Sequence, residues 1–199
     1  MANTVGAEGR VYSFEPIPLI NKSLNKTLRI NNLSQVTLCQ LALGDQSGDL
    51  EFTIPIDSND RAIHGESRLG TEEGNWNIYT KVKSTKTIKV KTSTLDQFAS
   101  EQSIDKLDFV KIDVEGFELE VLKGLSQPVD FISFEFTAED FHNSTLCIDK
   151  ICKLGNYSFQ YSLGESLSFD NRNWVAKETL IDQLTSECTK NPLSWGDIY

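Results

Sequence analysis

The sequence predicts an α/β fold, and three observations support this class. Short apolar runs typical of buried strands alternate along the chain with stretches whose apolar residues have helical spacing. Turn-forming Gly and Asn residues separate several of these segments. Three of the apolar runs end in an acid, at Glu15, Asp113 and Glu135. Ligands of open α/β sheets bind beyond the carboxyl ends of the strands, so this pattern also predicts the edge at which a site would lie.

The first predicted elements are a strand, a helix and a second strand. GRVYSFEP contains the strand Val11–Phe14, and PLINKSLNKTLRINN follows with apolar residues at helical spacing. Asn31 and Asn32 can end that helix, because asparagine tolerates the left-handed backbone of a helix C-terminus. The apolar run VTLCQLAL, Val36–Leu43, predicts the next strand, which stops at Gly44.

The middle of the chain predicts two strands that flank a polar loop. DLEFTIP, Asp49–Pro55, alternates apolar and polar residues, as a strand with one wet face does. We expect it to pair antiparallel with TIKVKTSTL, Thr87–Leu95. The intervening Pro55–Thr80 is polar, and loops longer than about 15 residues in compact domains tend to be functional or mobile. Thr94 is then predicted to cap the helix LDQFASEQS.

The rest of the chain continues the alternation of strands and helices. LDFVKIDVEGFELEVLKGL contains a buried strand at Phe109–Ile112, a turn at Glu115–Gly116 and the start of a short helix. VDFISFEF, Val129–Phe136, predicts a strongly apolar strand with Glu135 near its end. DFHNSTLCIDKICKLG predicts an amphipathic helix closed by Gly155. YSFQYSL and NWVAKE predict a final strand or hairpin, and ETLIDQLTSECTK predicts a last helix.

Composition excludes several classes of function. The chain has 19 basic and 29 acidic residues, a net charge of −10, which argues against a general binder of nucleic-acid backbones. The basic stretch Lys81–Lys91 is β-branched and strand-like, so we expect a solvated strand face. No run of about 18 apolar residues predicts a membrane span, and MANTVGAEGR lacks the pattern of a signal peptide. The 4 cysteines lack metal-ligand spacing and are expected to be reduced, mostly buried thiols of a cytoplasmic protein.

The acids at the strand ends have two interpretations. In dinucleotide-binding folds an acid at the end of the second strand accepts hydrogen bonds from both hydroxyls of a ribose, and Glu15 has a similar place at the end of the strand Val11–Phe14. Each acid could instead be an ordinary solvent-exposed residue at a strand end. The occurrence of three such acids at matching positions favours a binding site.

The same stretches resemble FkbM-family methyltransferases. GRVYSFEP, VTLCQLALGDQSGDLEFTIP, TSTLDQF and LDFVKIDVEGFELEVLKG occur in that family's order, and KIDVEGFELEVLKG is the most specific of them. The resemblance extends from Val5 to about Glu135. It implies a mostly parallel, Rossmann-like sheet in three α/β/α layers, which we expect to form a single domain over residues 1–199. It also implies an S-adenosylmethionine-dependent methyltransferase that acts on the hydroxyl group of a small molecule or a saccharide.

Carried over residue by residue, the resemblance implies cofactor-binding residues. Glu15 would hold the ribose of S-adenosylmethionine. Ala42 and Leu43, at the end of the following strand, would border the adenine. Asp113 would lie near the cofactor as well as near the site of methyl transfer.

The resemblance and the residues together suggest catalytic candidates. Transfer of a methyl group to a hydroxyl often needs a base that removes the hydroxyl proton, and Asp113, Glu115 and Glu135 are the candidates. These acids could instead hold a divalent metal that lowers the pKa of the acceptor hydroxyl, but the sequence predicts no specific set of metal ligands. His142 is a further candidate, but a single histidine on a helix is more often structural or exposed. His64 lies in the polar loop, which could close over a substrate or could be an ordinary surface loop.

One departure from the family leaves alternatives open. Members of the family have a first strand and a glycine-rich turn before the strand that ends in the ribose acid, whereas only MANTVGAE precedes Gly9 here. Loss of a central first strand would expose strand edges and favour self-association. We expect a fragment of a longer protein, a start assigned too far downstream, or a strand supplied by a partner. A non-catalytic binding or structural module is therefore an alternative to the enzyme, and a nucleotide-sugar enzyme is a third, disfavoured because no glycine loop or basic cluster meets a diphosphate.

Overall fold

A computed structural model describes residues 1–6, 8–59, 62–63, 68–69, 82–166 and 168–199. These residues form a mixed α/β structure with two compact units, Met1–Ser93 and Thr94–Tyr199, here called the first and second unit. The first unit contains β1 (Val11–Phe14), α1 (Pro18–Ile30), β2 (Val36–Cys39), β3 (Ala42–Leu43), β4 (Gly48–Asp57), β5 (Arg68–Leu69) and β6 (Val82–Ser93). The second unit contains α2 (Leu95–Glu101), β7 (Phe109–Ile112), α3 (Glu118–Lys123), β8 (Phe131–Thr137), α4 (Phe141–Leu154), β9 (Tyr161–Leu163), α5 (Lys177–Lys190) and β10 (Trp195–Ile198).

The first unit begins with a strand, a helix and a parallel strand, as the sequence predicts. β1 and β2 pair in parallel, with Val11 opposite Val36. Helix α1 starts with Pro18, whose fixed φ and missing N–H suit the first turn of a helix. It ends before Asn31, and Asn32 has a left-handed φ of 53°. The predicted role of the two asparagines at this helix end is therefore confirmed.

The predicted strand Val36–Leu43 is divided in the structure. β2 pairs with β1, whereas β3 pairs in parallel with β6 in a separate four-stranded sheet of order β3-β6-β4-β5. The pairing with β6 continues past β3, because the N–H of Gly44 donates to the carbonyl of Ser93 at 3.0 Å. Ala42 is buried among apolar side chains of this sheet, and this packing accounts for the change of partner.

β4 and β6 form the long antiparallel ladder that alternation predicts. Phe52 and Ile54 on β4 are buried with Val90 on β6. The opposite face carries charges, because Glu51 lies across from Lys89, and such opposite-charge pairs stabilise a ladder. The lysine-rich stretch is therefore a solvated strand face, and this prediction is confirmed for the residues described.

The second unit contains one mixed sheet of order β7-β8-β10-β9. β7 and β8 are parallel, and β10 is antiparallel to both β8 and β9. Thr94 caps α2, since its hydroxyl accepts a hydrogen bond from the N–H of Gln97 at 3.0 Å, as predicted. Side chains of β8 and of the helices α3, α4 and α5 form a fully buried core, which includes Phe134, Phe136, Leu122, Ile148, Leu180 and Leu184.

The central strand β10 is absent from the sequence prediction. Its sequence, WGDI, is short and has no clear alternation of apolar and polar residues. Gly196 is required there, because a Cβ would lie 2.0 Å from the carbonyl oxygen of Ser162 on β9. The predicted final strand or hairpin is confirmed as a strand, because β9 lies within YSFQYSL. NWVAKE joins it through an isolated antiparallel bridge between Phe159 and Val175.

The helices and the cysteines bear on two further expectations. Within the described part of the chain, no helix is both long enough and apolar enough to cross a membrane. The four cysteines are free thiols, as expected, but only Cys147 is buried and the other three are partly buried.

Candidate functional site

Glu15 follows β1 directly and is fixed by backbone hydrogen bonds. Its N–H donates to the carbonyl of Cys39 at 3.0 Å, which extends the pairing of β1 with β2. Its carboxylate Oε1 accepts the N–H of Ile17 at 2.7 Å, and its carbonyl accepts Nδ2 of Asn21 at 3.1 Å. Burial raises the pKa of Glu15, and the hydrogen bond from Ile17 opposes this shift. The carboxylate is thus held at the carboxyl end of a parallel strand.

Ala42 and Leu43 lie in the same unit as Glu15. The side chain of Ala42 is buried in the cluster that also contains Ile17, the residue whose N–H holds the Glu15 carboxylate. Leu43 is partly exposed, and it lies opposite Ser93 in the short pairing of β3 with β6. The structure therefore relates Ala42, one of the two predicted adenine residues, to the predicted ribose residue through one apolar cluster.

Four acids of the second unit form what we call the acidic cluster: Asp113, Glu115, Glu118 and Glu135. Ile112 at the end of β7 lies opposite Phe134 on β8, so Asp113 and Glu135 follow these two residues at the same edge of the sheet. β8 continues two residues beyond Glu135, because its antiparallel pairing with β10 extends to Thr137. The structure thus brings the three predicted catalytic acids together in one unit; Glu15 lies in the other.

The acidic cluster changes the proton affinity of Glu135. Burial, which is the largest cause, and the charges of Asp113, Glu115 and Glu118 together raise its pKa to about 7. The charge of Lys111 opposes it. A carboxyl group with a pKa near neutrality can exchange a proton at physiological pH, which an ordinary glutamate does poorly.

Glu118 belongs to the cluster but was not among the predicted site residues. It is 4% exposed, at the first position of α3. Its Oε1 accepts the N–H of Val114 at 3.2 Å and the N–H of Gly116 at 3.1 Å. Burial raises its pKa, and these backbone hydrogen bonds oppose the shift. The signal in the sequence is the second acid of VEGFE, three residues after Glu115 and at the start of the predicted helix.

Lys111 and Asp197 are also part of this region and were not predicted. Nζ of Lys111 donates a hydrogen bond to the carboxylate of Asp197 and lies 3.8 Å from the carboxylate of Asp113. Asp197 lies directly opposite Glu135 in the pairing of β10 with β8. No sequence signal could place Asp197 here, because β10 itself is not predicted.

The structure describes one of the two candidate histidines. His142 is exposed in the first turn of α4. His64 lies outside the described residues. Among the residues that the structure describes, no group of three or more His, Cys, Asp or Glu side chains is arranged to hold a metal ion.

Comparison with known families identifies the chain. A family model described as the methyltransferase FkbM domain matches residues 1–160, which include Glu15 and the whole acidic cluster. The chain belongs to the FkbM methyltransferase family. The resemblance that the sequence stretches suggest is thereby confirmed.

Three known methyltransferases are similar to this FkbM-family chain. Methyltransferase sdnD of Sordaria araneosa is 27% identical over 136 residues, and the alignment covers 60% of this chain and 52% of that protein. Methyltransferase 1 of Beauveria bassiana is 26% identical over 123 residues, covering 59% of this chain and 49% of that protein. Hexuronic acid methyltransferase AglP of Haloferax volcanii is 28% identical over 130 residues, covering 64% of this chain and 46% of that protein.

The FkbM-family chain spans about half the length of these curated relatives. No solved structure matches the chain significantly.

Proposed function

We propose that this chain is an S-adenosylmethionine-dependent methyltransferase that methylates a hydroxyl group of a small molecule or a sugar. The match of the FkbM methyltransferase model to residues 1–160 is the observation that carries the proposal. The name of one relative, a hexuronic acid methyltransferase, supports a saccharide acceptor. The acidic cluster supports transfer to oxygen, because a hydroxyl acceptor needs a group that takes its proton.

The residues of the first unit fit the cofactor. Oε1 of Glu15 is engaged by the N–H of Ile17, and no residue that the structure describes donates to the second carboxylate oxygen. That oxygen is available to accept a hydrogen bond from a ribose hydroxyl. Leu43 is partly exposed and could border the adenine, whereas Ala42 would contribute mainly through the packing of its buried side chain. When bound, S-adenosylmethionine supplies an activated methyl group on a sulfonium.

In the second unit, Glu135 would act as the general base. With a pKa of about 7, it is ionised in a large fraction of molecules at neutral pH and still binds a proton firmly. Its carboxylate would accept the proton of the acceptor hydroxyl, which makes the oxygen a better nucleophile. Asp113 and Glu115 would serve by keeping the proton affinity of Glu135 high and by accepting hydrogen bonds from further hydroxyls of the acceptor.

The finer fold is also a proposal. We infer a Rossmann-like, mostly parallel sheet in three layers within a single domain over residues 1–199. The parallel pairs β1–β2 and β7–β8 support this inference. The family match supports it as well, because it crosses from the first unit into the second.

The proposed function is tested by binding and transfer measurements on the full chain. S-adenosylmethionine titrated into the protein in a calorimeter should give a saturable binding isotherm. Transfer of label from methyl-labelled S-adenosylmethionine should then be measured against a panel of sugars, uronic acids and small alcohols, with deoxy analogues as matched controls. Absence of binding at millimolar cofactor would overturn the proposal for this chain and favour a non-catalytic module. Labelling of a deoxy analogue at the parental rate would overturn the assignment to oxygen.

A further inference from the structure

The turn between β7 and α3 has an unusual backbone. Glu115 has a φ of 55° and Gly116 a φ of 92°, so two consecutive residues are in the left-handed region. Glycine adopts this conformation without cost, but glutamate does not. The turn carries Asp113 at its start and Glu115 at its centre, and both are acids of the proposed site. Their positions therefore depend on a conformation that the local sequence does not favour.

Glu118 holds this turn from the inside. One oxygen of its carboxylate, Oε1, accepts hydrogen bonds from the N–H groups of Val114 and Gly116, at 3.2 Å and 3.1 Å. These two N–H groups lie on either side of Glu115. Convergent backbone N–H groups of this kind form a concave site for an anionic oxygen, and here the chain supplies the oxygen itself.

Burial separates the role of Glu118 from that of the other acids. Glu118 is 4% exposed, whereas Asp113 is exposed and Glu135 is only partly buried. The Oε1 atom of Glu118 is occupied by backbone donors rather than directed at a ligand. Loss of that oxygen would leave the N–H groups of Val114 and Gly116 without the acceptor that joins them across Glu115.

We propose that Glu118 is a positioning residue, which fixes the turn at Val114–Gly116 and thereby sets where Asp113 and Glu115 lie relative to Glu135. The inference rests on the proposed function in so far as these acids form the catalytic site. Since a single oxygen accepts both hydrogen bonds, the position needs an acceptor oxygen and not a negative charge. A glutamine can supply that oxygen, and a methionine of similar length cannot.

The test compares Glu118→Gln with Glu118→Met in the full chain. Both variants remove the charge of Glu118, so any difference between them reports the loss of the acceptor oxygen. The measurements are amide hydrogen exchange at Val114 and Gly116 and the titration of the Glu135 carboxyl group, both by NMR. Neither measurement needs an acceptor, so failure of the proposed methyl transfer would leave this test intact.

In Glu118→Met we expect amide exchange at Val114 and Gly116 to be at least about tenfold faster than in Glu118→Gln, since the hydrogen bonds that protect these amides are lost. We also expect Glu135 to titrate at lower pH in Glu118→Met than in Glu118→Gln, because Asp113 and Glu115 are no longer held beside it. Equal exchange and equal Glu135 titration in the two variants would overturn the proposal.

Gly116→Ala gives an independent measurement if Glu118→Met fails to fold. A Cβ at Gly116 meets no atom within 4 Å, so the substitution acts through the backbone conformation alone. It should shift the titration of Glu135 in the same direction as Glu118→Met does. An unchanged titration in Gly116→Ala would show that the turn does not position the acids, and the proposal would fail.

Discussion

Glu15 and Glu135 are both partly buried acids near the carboxyl ends of parallel strands, but their surroundings differ. The carboxylate of Glu15 accepts a backbone N–H, which favours its charged form and opposes the effect of burial on its pKa. Glu135 is surrounded by the charges of Asp113, Glu115 and Glu118, which add to the effect of burial and raise its pKa to about 7. A hydrogen-bonded carboxylate is suited to hold a hydroxyl, and a carboxyl group beside like charges is suited to exchange a proton. We therefore propose two different roles for the same residue type, each set by the environment of the residue.

The largest expected effect is the loss of the proposed base. Glu135→Gln keeps the size of the side chain but cannot take a proton at neutral pH. We expect the methyl-transfer rate to fall by roughly 10²- to 10⁴-fold, the usual contribution of a general base. The substitution leaves the first unit unchanged, so calorimetry should give a Kd for S-adenosylmethionine within about twofold of the parent's. That margin is small, because a tenfold change in Kd corresponds to about 1.4 kcal/mol.

Glu165→Gln, a change at an exposed acid outside the acidic cluster, is the matched control for that experiment. The parent rate should also rise with pH and level off above about 7, as Glu135 loses its proton. A Glu135→Gln variant that retains the parental rate and this pH profile would exclude the role of base.

The next largest effect concerns the strand that places Asp197 beside Glu135. Gly196→Ala puts a Cβ 2.0 Å from the carbonyl oxygen of Ser162, so β9 and β10 must separate. We expect a loss of about 3 kcal/mol or more in the free energy of unfolding, measured by urea denaturation. Gly155→Ala is the control, because its Cβ would make only ordinary contacts, the nearest at 3.4 Å from Tyr157. A similar small loss in both variants would contradict the central position of β10.

A smaller effect is expected for the acid of the first unit. Glu15→Gln retains an oxygen for the N–H of Ile17 but weakens the acceptance of ribose hydroxyls, because charged acceptors make stronger hydrogen bonds. We expect the Kd for S-adenosylmethionine to rise about tenfold, equivalent to about 1.4 kcal/mol. Glu51→Gln, a change at an exposed acid of β4, should leave the Kd unchanged. An unaltered Kd in Glu15→Gln would contradict the proposed binding of ribose by Glu15. The proposed difference in role between Glu15 and Glu135 would then lose its support.

An effect of similar size is expected in the pH dependence of stability that Glu135 causes. Its pKa is raised from 4.5 to about 7 in the folded state, so the folded protein binds the proton more tightly than the unfolded chain. The contribution of this group to stability is full below about pH 4.5 and is lost as the pH rises to about 7. Because Glu135 is partly exposed, solvent screening reduces the expected loss to about 1–2 kcal/mol.

Urea denaturation of the parent and of Glu135→Gln at pH 5 and pH 8 measures this difference. The free energy of unfolding of the variant, relative to that of the parent, should be higher at pH 8 than at pH 5. An identical difference at both pH values would show that Glu135 titrates like an ordinary glutamate.

Local patterns predict the elements whose partners lie nearby in sequence. The C-terminal end of α1 at Asn31 and Asn32 follows from the backbone preferences of asparagine, and the cap of α2 follows from the hydroxyl of Thr94. The antiparallel pairing of β4 with β6 follows from the alternation of apolar and polar residues in both strands. Each of these features is determined by interactions within a short stretch or between strands with a strong pattern.

The remaining features depend on distant partners. The change of sheet between β2 and β3 depends on the packing of Ala42 in a cluster with Val90. β10 forms because β8 and β9 leave a gap that its small Gly196 can enter. The four residues of β10 are too few to show the alternation of apolar and polar residues that would predict a strand. The convergence of acids on Glu135 was predictable from the ends of the strands, but the ion pair of Lys111 with Asp197 was not.

The position of β10 has a consequence for the order of folding. Glu135 and Asp197 are direct partners in the sheet although a long segment with two helices separates them in the sequence. Contacts between residues so far apart carry a high loop-closure entropy, and they form late in folding. We therefore expect β7 and β8 to associate first and β10 to insert afterwards, so that the proton affinity of Glu135 reaches its final value only in the last stage of folding.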